Sequence, residues 1–188
     1  MACTDTIITE NIDYCPDQET PAGISSVSIY AARVSDFDAI VKPLALGVAV
    51  SLEEAGKITG PHTFAGDNGF FKINILPDTG LVDSENQGEK GSKTNVNNFA
   101  GTLPGITARN LGFIRKYQNV GMIFLVTQID GKIRQIGSED SPAYLSEASG
   151  SSGQAPGDIN GIPVKFSDVQ AYQAPIYEGV ITEFTPPV

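Results

Sequence analysis

The sequence is poor in the residues that build most catalytic and metal centres. Its 188 residues include one histidine, His62, two cysteines and no tryptophan. One imidazole cannot form a histidine metal cluster or a relay between two histidines, and a histidine after Pro61 in a glycine-rich stretch is typical of a loop. The glycine-rich phosphate-binding motifs and the Gly-x-Ser-x-Gly nucleophile motif are also missing. We therefore expect neither enzymatic activity nor a cofactor or metal ion.

Basic residues are scarce as well. Twelve Lys and Arg stand against 22 Asp and Glu, which gives a net charge of −10. Proteins that clamp nucleic acids neutralise phosphates with clustered Lys and Arg, so this charge excludes a clamp but not a surface along which DNA slides. No apolar run approaches the roughly 18 residues that span a bilayer, so we expect no membrane partner. With 40% apolar and 18% charged residues, the chain is predicted to fold as one domain over residues 1–188.

The first 22 residues are polar and predict an N-terminal arm. They contain Pro16 and Pro21 and show no periodicity, and no basic segment followed by an apolar stretch indicates a signal peptide. We therefore expect the chain to be made in the cytoplasm. Cys3 and Cys15 could form a disulfide, but a reduced pair is the simpler interpretation in that compartment. The sequence leaves their pairing open.

Alternating apolar residues predict several β-strands between residues 23 and 176. Such alternation is typical of a strand with one buried face. The predicted apolar faces are Val27, Ile29 and Ala31; Phe71, Ile73 and Ile75 within residues 69–76; and Ile162, Val164 and Phe166. A further strand is predicted near residues 96–103. The unbroken apolar run 122–126 predicts a central strand that is covered on both faces.

A hairpin is predicted at Asp130-Gly131, because this dipeptide favours tight turns between strands. Residues 132–136 would form the returning strand. Within it, Ile133 and Ile136 are three positions apart, which breaks the alternation and predicts a bulge or an early strand end. Residues 40–52 are apolar but interrupted by Pro43 and Gly47, and they allow no assignment.

One helix is predicted over residues 107–120. Thr107 suits the N-cap, and Ile106 before the cap can pack on Leu111. The predicted apolar stripe consists of Leu111, Phe113, Ile114 and Tyr117. Gly112 lies inside the helix and costs about 1 kcal/mol relative to alanine, so we expect the helix to depend on packing.

Two long polar segments, residues 78–94 and 138–161, are predicted as loops within a core of residues 23–176. Residues 177–188 are punctuated by proline and predict a C-terminal arm. The predicted fold is therefore mainly β with one α-helix, together with extended terminal arms and long loops. Arms and loops of this length often become ordered on a partner, which favours a self-assembling module.

Several turn and packing motifs resemble the major tail tube proteins of tailed bacteriophages, in particular phages of Bacteroidetes-type hosts. The resemblance covers under half of the chain, between Asn98 and Gly179. Its motifs are the stretch 98–105 (NFAGTLPG), the helix that follows, the apolar strand and Asp-Gly hairpin within residues 122–137, the pair Gly137-Ser138, and the turn at residues 157–161 (GDING) before a strand.

The resemblance implies a β-sandwich or half-barrel with a helix on one flank. Six subunits would close into a ring whose inner strands form a continuous β-barrel, and rings would stack into a tube through which the genome passes. The partners would be further copies of the chain, other tail proteins of the virion, and DNA that crosses the lumen without specific binding. The protein would assemble in the cytoplasm of the host bacterium and reside in the virion tail. An acidic lumen would repel phosphates, which agrees with the net charge.

The resemblance also implies that the predicted loop 78–94 reaches a neighbouring subunit or ring. The candidate contact residues in this segment are Asp83, Glu85, Gln87, Glu89, Lys90 and Lys93. The helix would lie outside the inner barrel, and the terminal arms could bridge rings.

Two alternative functions stay open. Another virion component of similar fold, such as a tail terminator, a baseplate hub or a capsid decoration protein, would share these features, but a terminator would remain a single ring. A carbohydrate-binding β-sandwich is the other alternative. Against it, the chain has no tryptophan, and most Phe and Tyr residues fall on strand faces assigned to the core. The size of the oligomer separates the virion components from the carbohydrate-binding module.

Overall fold

The described part of the chain forms twelve β-strands and two α-helices. The computed structural model describes residues 7, 11–12, 21–153, 155 and 158–185, so Cys3, Cys15 and most of the predicted N-terminal arm lie outside the described residues. The strands are β1 (Ile24–Arg33), β2 (Phe37–Ala39), β3 (Lys57–Ile58), β4 (Thr63–Phe64), β5 (Phe71–Ile73), β6 (Leu81–Gln87), β7 (Thr94–Pro104), β8 (Met122–Gln128), β9 (Ile133–Ile136), β10 (Tyr144–Ala148), β11 (Gly161–Gln170) and β12 (Ile176–Tyr177). The helices are α1 (Leu52–Ala55) and α2 (Ala108–Tyr117). The predicted mainly β fold is confirmed, and the four-residue α1 is an addition that the sequence did not predict.

Two large sheets pack against each other. One has six strands in the order β3-β12-β9-β8-β1-β5, and the other has four in the order β10-β11-β7-β6. The main core cluster lies between them, and the ring of Phe124 on β8 is 5.3 Å from that of Phe99 on β7 and 4.5 Å from that of Phe166 on β11. The alternation of Ile162, Val164 and Phe166 predicted this inner face correctly, since all three are buried.

Strand β8 is the centre of the six-stranded sheet. Residues 122–126 are all fully buried, as the unbroken apolar run predicted. Their second face packs on another cluster, which includes Ile58, Phe70 and Tyr177 and is covered by partly buried residues from β2 and β4. The Phe37 and Phe64 rings stack there at 4.2 Å. Both faces of this sheet are therefore apolar.

The hairpin between β8 and β9 forms at Asp130-Gly131 as predicted, and Gly131 has a positive φ of 83°. The predicted bulge is absent from β9, because its register with β8 is regular. The strand runs to Ile136, the end predicted for it, so the alternative of an early end is wrong as well. Ile136 packs in the main core cluster and Ile133 in the cluster on the other face of the sheet. Because both faces of β9 are covered, apolar residues can stand three positions apart in a regular strand.

The four-stranded sheet crosses the six-stranded one at a large angle. Near the start of β7, Asn97 contacts Ala174, which lies just before β12, the strand next to the edge strand β3. Near the end of β7, Leu103 and Ile73 line the same cavity beside the opposite edge strand β5. The β6–β7 hairpin therefore emerges on the β12 side, and the end of β7 lies on the β5 side.

Helix α2 covers the β5 edge of the sandwich. Thr107 is the N-cap as predicted, and its hydroxyl accepts a hydrogen bond from the Asn110 backbone N–H at 3.2 Å. Phe113 and Tyr117 pack on Phe71, with ring centroids 6.4 and 5.6 Å apart. The prediction of Leu111 in the apolar stripe is wrong, since it is 51% exposed. It lies about 160° around the helix from Phe113, outside the stripe that packs on β5.

Two of the predicted strand faces needed correction. Ile29 and Ala31 are buried, but Val27 is 59% exposed because the register of β1 shifts between Ile24 and Ile29. The Ser25 hydroxyl accepts hydrogen bonds from two nearby backbone N–H groups at this irregularity, which competes with the strand ladder. Strand β5 is shorter than predicted, although its exposed Lys72 confirms the predicted alternation.

Both predicted long loops are wrong, because each contains a strand. Seven residues of segment 78–94 form strand β6, which pairs with β7 from Leu81 to Gln87. Segment 138–161 contains β10, which pairs with β11. Both strands lie at sheet edges and have few apolar residues, so their sequences lack the alternation that indicates a strand.

The predicted C-terminal arm over residues 177–188 is also corrected within the described residues. Tyr177 belongs to β12 and is buried, and its hydroxyl donates to the Val180 carbonyl oxygen at 3.1 Å. Farther along, the Phe184 N–H donates to the Phe70 carbonyl oxygen at 2.9 Å. This segment therefore packs on the sheet.

Candidate assembly surface

The four-stranded sheet has one covered face and one open face. Side chains on the covered face pack on the six-stranded sheet, and the intervening positions point outward. The pairings of the four strands place these side chains on the open face: Leu81, Asp83, Glu85 and Gln87 of β6; Val96, Asn98, Ala100 and Thr102 of β7; Pro163, Lys165, Ser167 and Val169 of β11; and Tyr144, Ser146 and Glu147 of β10. Most of them are polar or small, which suits a surface in contact with water, and two of them, Asn98 and Thr102, are buried among their neighbours.

A row of hydrogen bonds crosses the open face from one edge strand to the other. The Asn98 amide donates to the Asp83 carboxylate at 2.8 Å, and the Ser167 hydroxyl donates to the Asn98 side-chain oxygen at 2.7 Å. Ser146 lies 3.0 Å from Ser167, oxygen to oxygen, and completes the row. The row includes one residue from each of the four strands, so it holds them in a defined arrangement.

The charges on the open face are mainly negative. The open face carries three carboxylates, those of Asp83, Glu85 and Glu147, and one amine, that of Lys165. In the described residues Lys165 has no carboxylate within ion-pair distance. Each copy of the sheet therefore presents a net charge of −2 to solvent.

The six candidate contact residues divide into two groups. Asp83, Glu85 and Gln87 lie on the open face of β6 and not in a loop. Glu89, Lys90 and Lys93 are exposed in the turn that joins β6 to β7. That turn is tight, with Gly88 and Gly91 at positive φ and the Ser92 N–H bonded to the Glu89 carbonyl oxygen at 3.0 Å. The structure thus brings three candidates onto one strand and leaves three at its end. Sequence reasoning missed Asn98, Ser146 and Ser167, because only the strand register brings them together.

Both edges of the four-stranded sheet are free. Among the described residues β6 pairs with β7 alone and β10 pairs with β11 alone. All three pairings are antiparallel, so the two edge strands run in opposite directions. Each edge leaves backbone N–H and C=O groups available to another strand, a feature that natural proteins usually cover.

A buried polar cluster supports the sheet from beneath. Asp168 is 3% exposed, and its carboxylate accepts hydrogen bonds from the Asn97 amide at 2.8 Å, the Gln170 amide at 2.7 Å and the Gly137 backbone N–H. Burial raises the pKa of Asp168, and these three hydrogen bonds oppose that rise by favouring the charged form. The Asn97 side-chain oxygen also accepts from the Ala174 N–H at 2.9 Å. The cluster thus joins the start of the β6–β7 hairpin to the segment before β12.

Among residues 21–153 and the other described positions, no group of three or more His, Cys, Asp or Glu could hold a metal ion. His62, the one histidine, is buried in a loop and hydrogen-bonded to Gln135. No helix in the described ranges is long and apolar enough to cross a membrane.

Comparison of the chain with protein-family models, with curated proteins and with solved structures finds no match. The function is therefore inferred from the open face and the two free edges of the four-stranded sheet.

Proposed function

We propose that this chain is a structural subunit that joins copies of itself into closed rings, and that these rings stack into a phage tail tube. The observation that carries the proposal is the four-stranded sheet, which has a polar open face and two free edges. The family resemblance of segment 98–179 points to the same assembly.

The directions of the edge strands favour head-to-tail joining. Since β6 and β10 run in opposite directions, β6 of one copy beside β10 of the next would continue the antiparallel alternation. Such an interface uses two different surfaces, and it forms a ring when the rotation closes. About six copies would contribute about 24 strands, beyond the roughly 16–18 with which porins already enclose an aqueous channel. Closure would also remove both exposed edges.

The open face would line the lumen of such a ring. The opposite face of the sheet is covered by the six-stranded sheet, so only the open face is available to a channel. Its three carboxylates and one amine would repel phosphate groups and let DNA pass without binding. This agrees with a role in the virion tail, after assembly in the host cytoplasm.

Electron microscopy of the purified protein, with its mass measured in solution, tests the proposal. We expect tubes with a regular axial repeat, or rings at concentrations too low for stacking. Closed rings that never stack would favour a tail terminator or a baseplate component. A monomer at every concentration tested would overturn the proposal and make a glycan-binding screen the next experiment. The carbohydrate-binding alternative is less favoured, because sugar-binding surfaces usually present several aromatic residues and Tyr144 is the one aromatic residue on the open face in the described chain.

A further inference from the structure

Exposed apolar residues gather at two separate places on the surface. The first group, here called the 44–52 patch, consists of Leu44, Val48, Val50 and Leu52, which are 44–63% exposed. The second, here called the helix-start patch, consists of Ile106, Leu111 and Ile159, which are 41–62% exposed. Contiguous exposed apolar surface usually marks an interaction site, whereas single exposed residues do not.

The 44–52 patch is held in shape by local hydrogen bonds. The Val48 N–H donates to the Ala45 carbonyl oxygen at 2.8 Å, which closes a turn. The Ser51 hydroxyl caps α1 by accepting from the Glu54 N–H at 3.2 Å, and the Glu54 carboxylate accepts from the Val50 N–H at 3.0 Å. Ala49 within the patch is fully buried and anchors it. The apolar side chains are thus presented outward from an ordered segment.

The helix-start patch is ordered in the same way. The Gly105 N–H donates to the Asn160 carbonyl oxygen at 3.0 Å, so the neighbouring residues Ile106 and Ile159 flank one hydrogen bond. The Asn110 amide donates to the carbonyl oxygens of Pro104 and Gly105 and ties the helix to this turn. Leu111 on the outer side of α2 extends the same apolar surface.

The two patches lie at opposite ends of the molecule. The 44–52 patch runs directly into α1 and the edge strand β3. The helix-start patch follows the end of β7, beside the opposite edge strand β5. With six strands in the sheet and a spacing of about 4.8 Å, these edges are separated by about 24 Å. Two different apolar surfaces at opposite ends are what a head-to-tail contact between copies requires.

The charges beside the two patches are complementary. Helix α2 carries Arg109, Arg115 and Lys116 and no acidic residue, and Arg109 lies in the first turn, where the helix dipole disfavours a cation. Within the described residues, none of these three side chains lies within 4.0 Å of a carboxylate. The 44–52 patch leads into Glu53 and Glu54 of α1. Glu53 is paired with the Lys57 amine of the same copy at 2.8 Å, whereas Glu54 has no ion pair among the described residues and is the carboxylate that a second copy offers to this basic helix.

We infer that the 44–52 patch of one copy docks on the helix-start patch of a copy in the next ring, so that these two patches form the axial contact of the tube. This inference rests on the proposed ring assembly and adds the surface through which the rings stack. The four side chains of the 44–52 patch are each about half exposed, so the area they offer is well below the roughly 800 Å² that one partner contributes to a stable interface. A ring repeats this contact in every subunit, and the repeated contacts reinforce one another.

Two single substitutions in the full chain test the inference. Val50→Lys places a charge in the 44–52 patch, and Leu111→Glu places one in the helix-start patch. Each would bury an unpaired charge at the ring junction, so we expect each variant to form rings but to lose stacking by more than about tenfold in the concentration required. Val27→Lys is the matched control, because Val27 is as exposed as Val50, at 59% against 57%, and lies outside both patches. It should leave the tubes unchanged.

Mixing the two variants tests whether the patches are partners. Rings of Val50→Lys keep an intact helix-start patch, and rings of Leu111→Glu keep an intact 44–52 patch. Their mixture therefore restores one wild-type junction, and the other junction places the new lysine of Val50→Lys opposite the new glutamate of Leu111→Glu. We expect stacks of two or more rings by electron microscopy. Tubes that persist in either variant, or a mixture that remains single rings, would overturn this inference while leaving the proposed ring intact. A wild-type chain that stays monomeric would overturn both.

Discussion

The imidazole Nε2 of His62 lies 2.8 Å from the side-chain oxygen of Gln135, deep in the cluster that covers the outer face of the six-stranded sheet. The other ring nitrogen, Nδ1, accepts a hydrogen bond from the Val41 N–H at 3.1 Å. Since Nδ1 is an acceptor, the proton of the neutral ring is on Nε2 and is donated to Gln135. The Gln135 amide in turn donates to the Gly137 carbonyl oxygen at 3.1 Å. The network requires a neutral histidine, because a second ring proton would face the Val41 N–H.

Acidification should therefore destabilise the fold through His62. Burial lowers the pKa of His62 below its ordinary value of 6.5, and the hydrogen bond to Gln135 opposes this only in part. The unfolded chain then binds a proton more readily than the folded one, so stability is fully present above pH 6.5 and is lost as the pH falls through the folded-state pKa. Urea unfolding at about pH 7.5 and 5.5 should show a smaller loss in His62→Gln than in the wild type. Equal losses would contradict the role of His62.

Replacing Asp168 should weaken the join between the two sheets. Three N–H donors converge on its carboxylate, from Asn97, Gly137 and Gln170. Asp168→Asn supplies one oxygen and one NH2 group, so a donor would face a donor and at least one buried N–H would lose its acceptor. We expect a loss of about 1–3 kcal/mol in the free energy of unfolding, measured in urea at neutral pH. Asp140→Asn, at an exposed carboxylate, is the control and should change stability by less than about 0.5 kcal/mol.

Truncation of Phe71 measures how strongly α2 is attached to the sheet. Phe71 is partly buried against the rings of Phe113 and Tyr117. A fully buried phenylalanine costs about 3–5 kcal/mol when replaced by alanine, so we expect about 2 kcal/mol for Phe71→Ala. Phe124→Ala, at a fully buried position between the sheets, should lower the free energy of unfolding by about 3–5 kcal/mol. Unchanged thermal unfolding of Phe71→Ala would show that α2 does not depend on this contact.

Sequence patterns identify most readily the strands that have one face buried in the core and the other exposed to solvent. In β11 the apolar residues Ile162, Val164 and Phe166 alternate with positions that face outward, so the pattern is local and readable. Strand β6 was missed because its inner face carries Ser84 and Asn86. Ser84 is accommodated by a 2.7 Å hydrogen bond from its hydroxyl to Asn97. When the hydrogen-bond partner of an inward-facing polar side chain lies thirteen residues away, the local sequence lacks the apolar alternation that indicates a strand.

In the candidate surface, too, some residues could be identified from the sequence and others could not. Asp83, Glu85 and Gln87 are contact candidates that the family resemblance implies, and the structure places them on the open face of β6 and not in the predicted loop. Their neighbours across the sheet could not be predicted, because Asn98 and Ser167 come together only through the register of β7 with β11. Register depends on long-range packing, which an isolated segment does not specify.

A proline in β10 should separate folding from assembly. The register of β10 with β11 shifts between Leu145 and Glu147, so Ser146 lies in a bulge, where proline is tolerated. Ser146→Pro places a rigid ring in the edge strand to which another strand would add, and proline on an edge strand is a device by which natural proteins prevent such pairing. We expect an unfolding free energy within about 1 kcal/mol of Ser146→Ala, which loses the same hydroxyl, together with a loss of rings seen by electron microscopy and by mass in solution. If Ser146→Pro forms rings at the same concentration as Ser146→Ala, β10 is not the edge through which copies join.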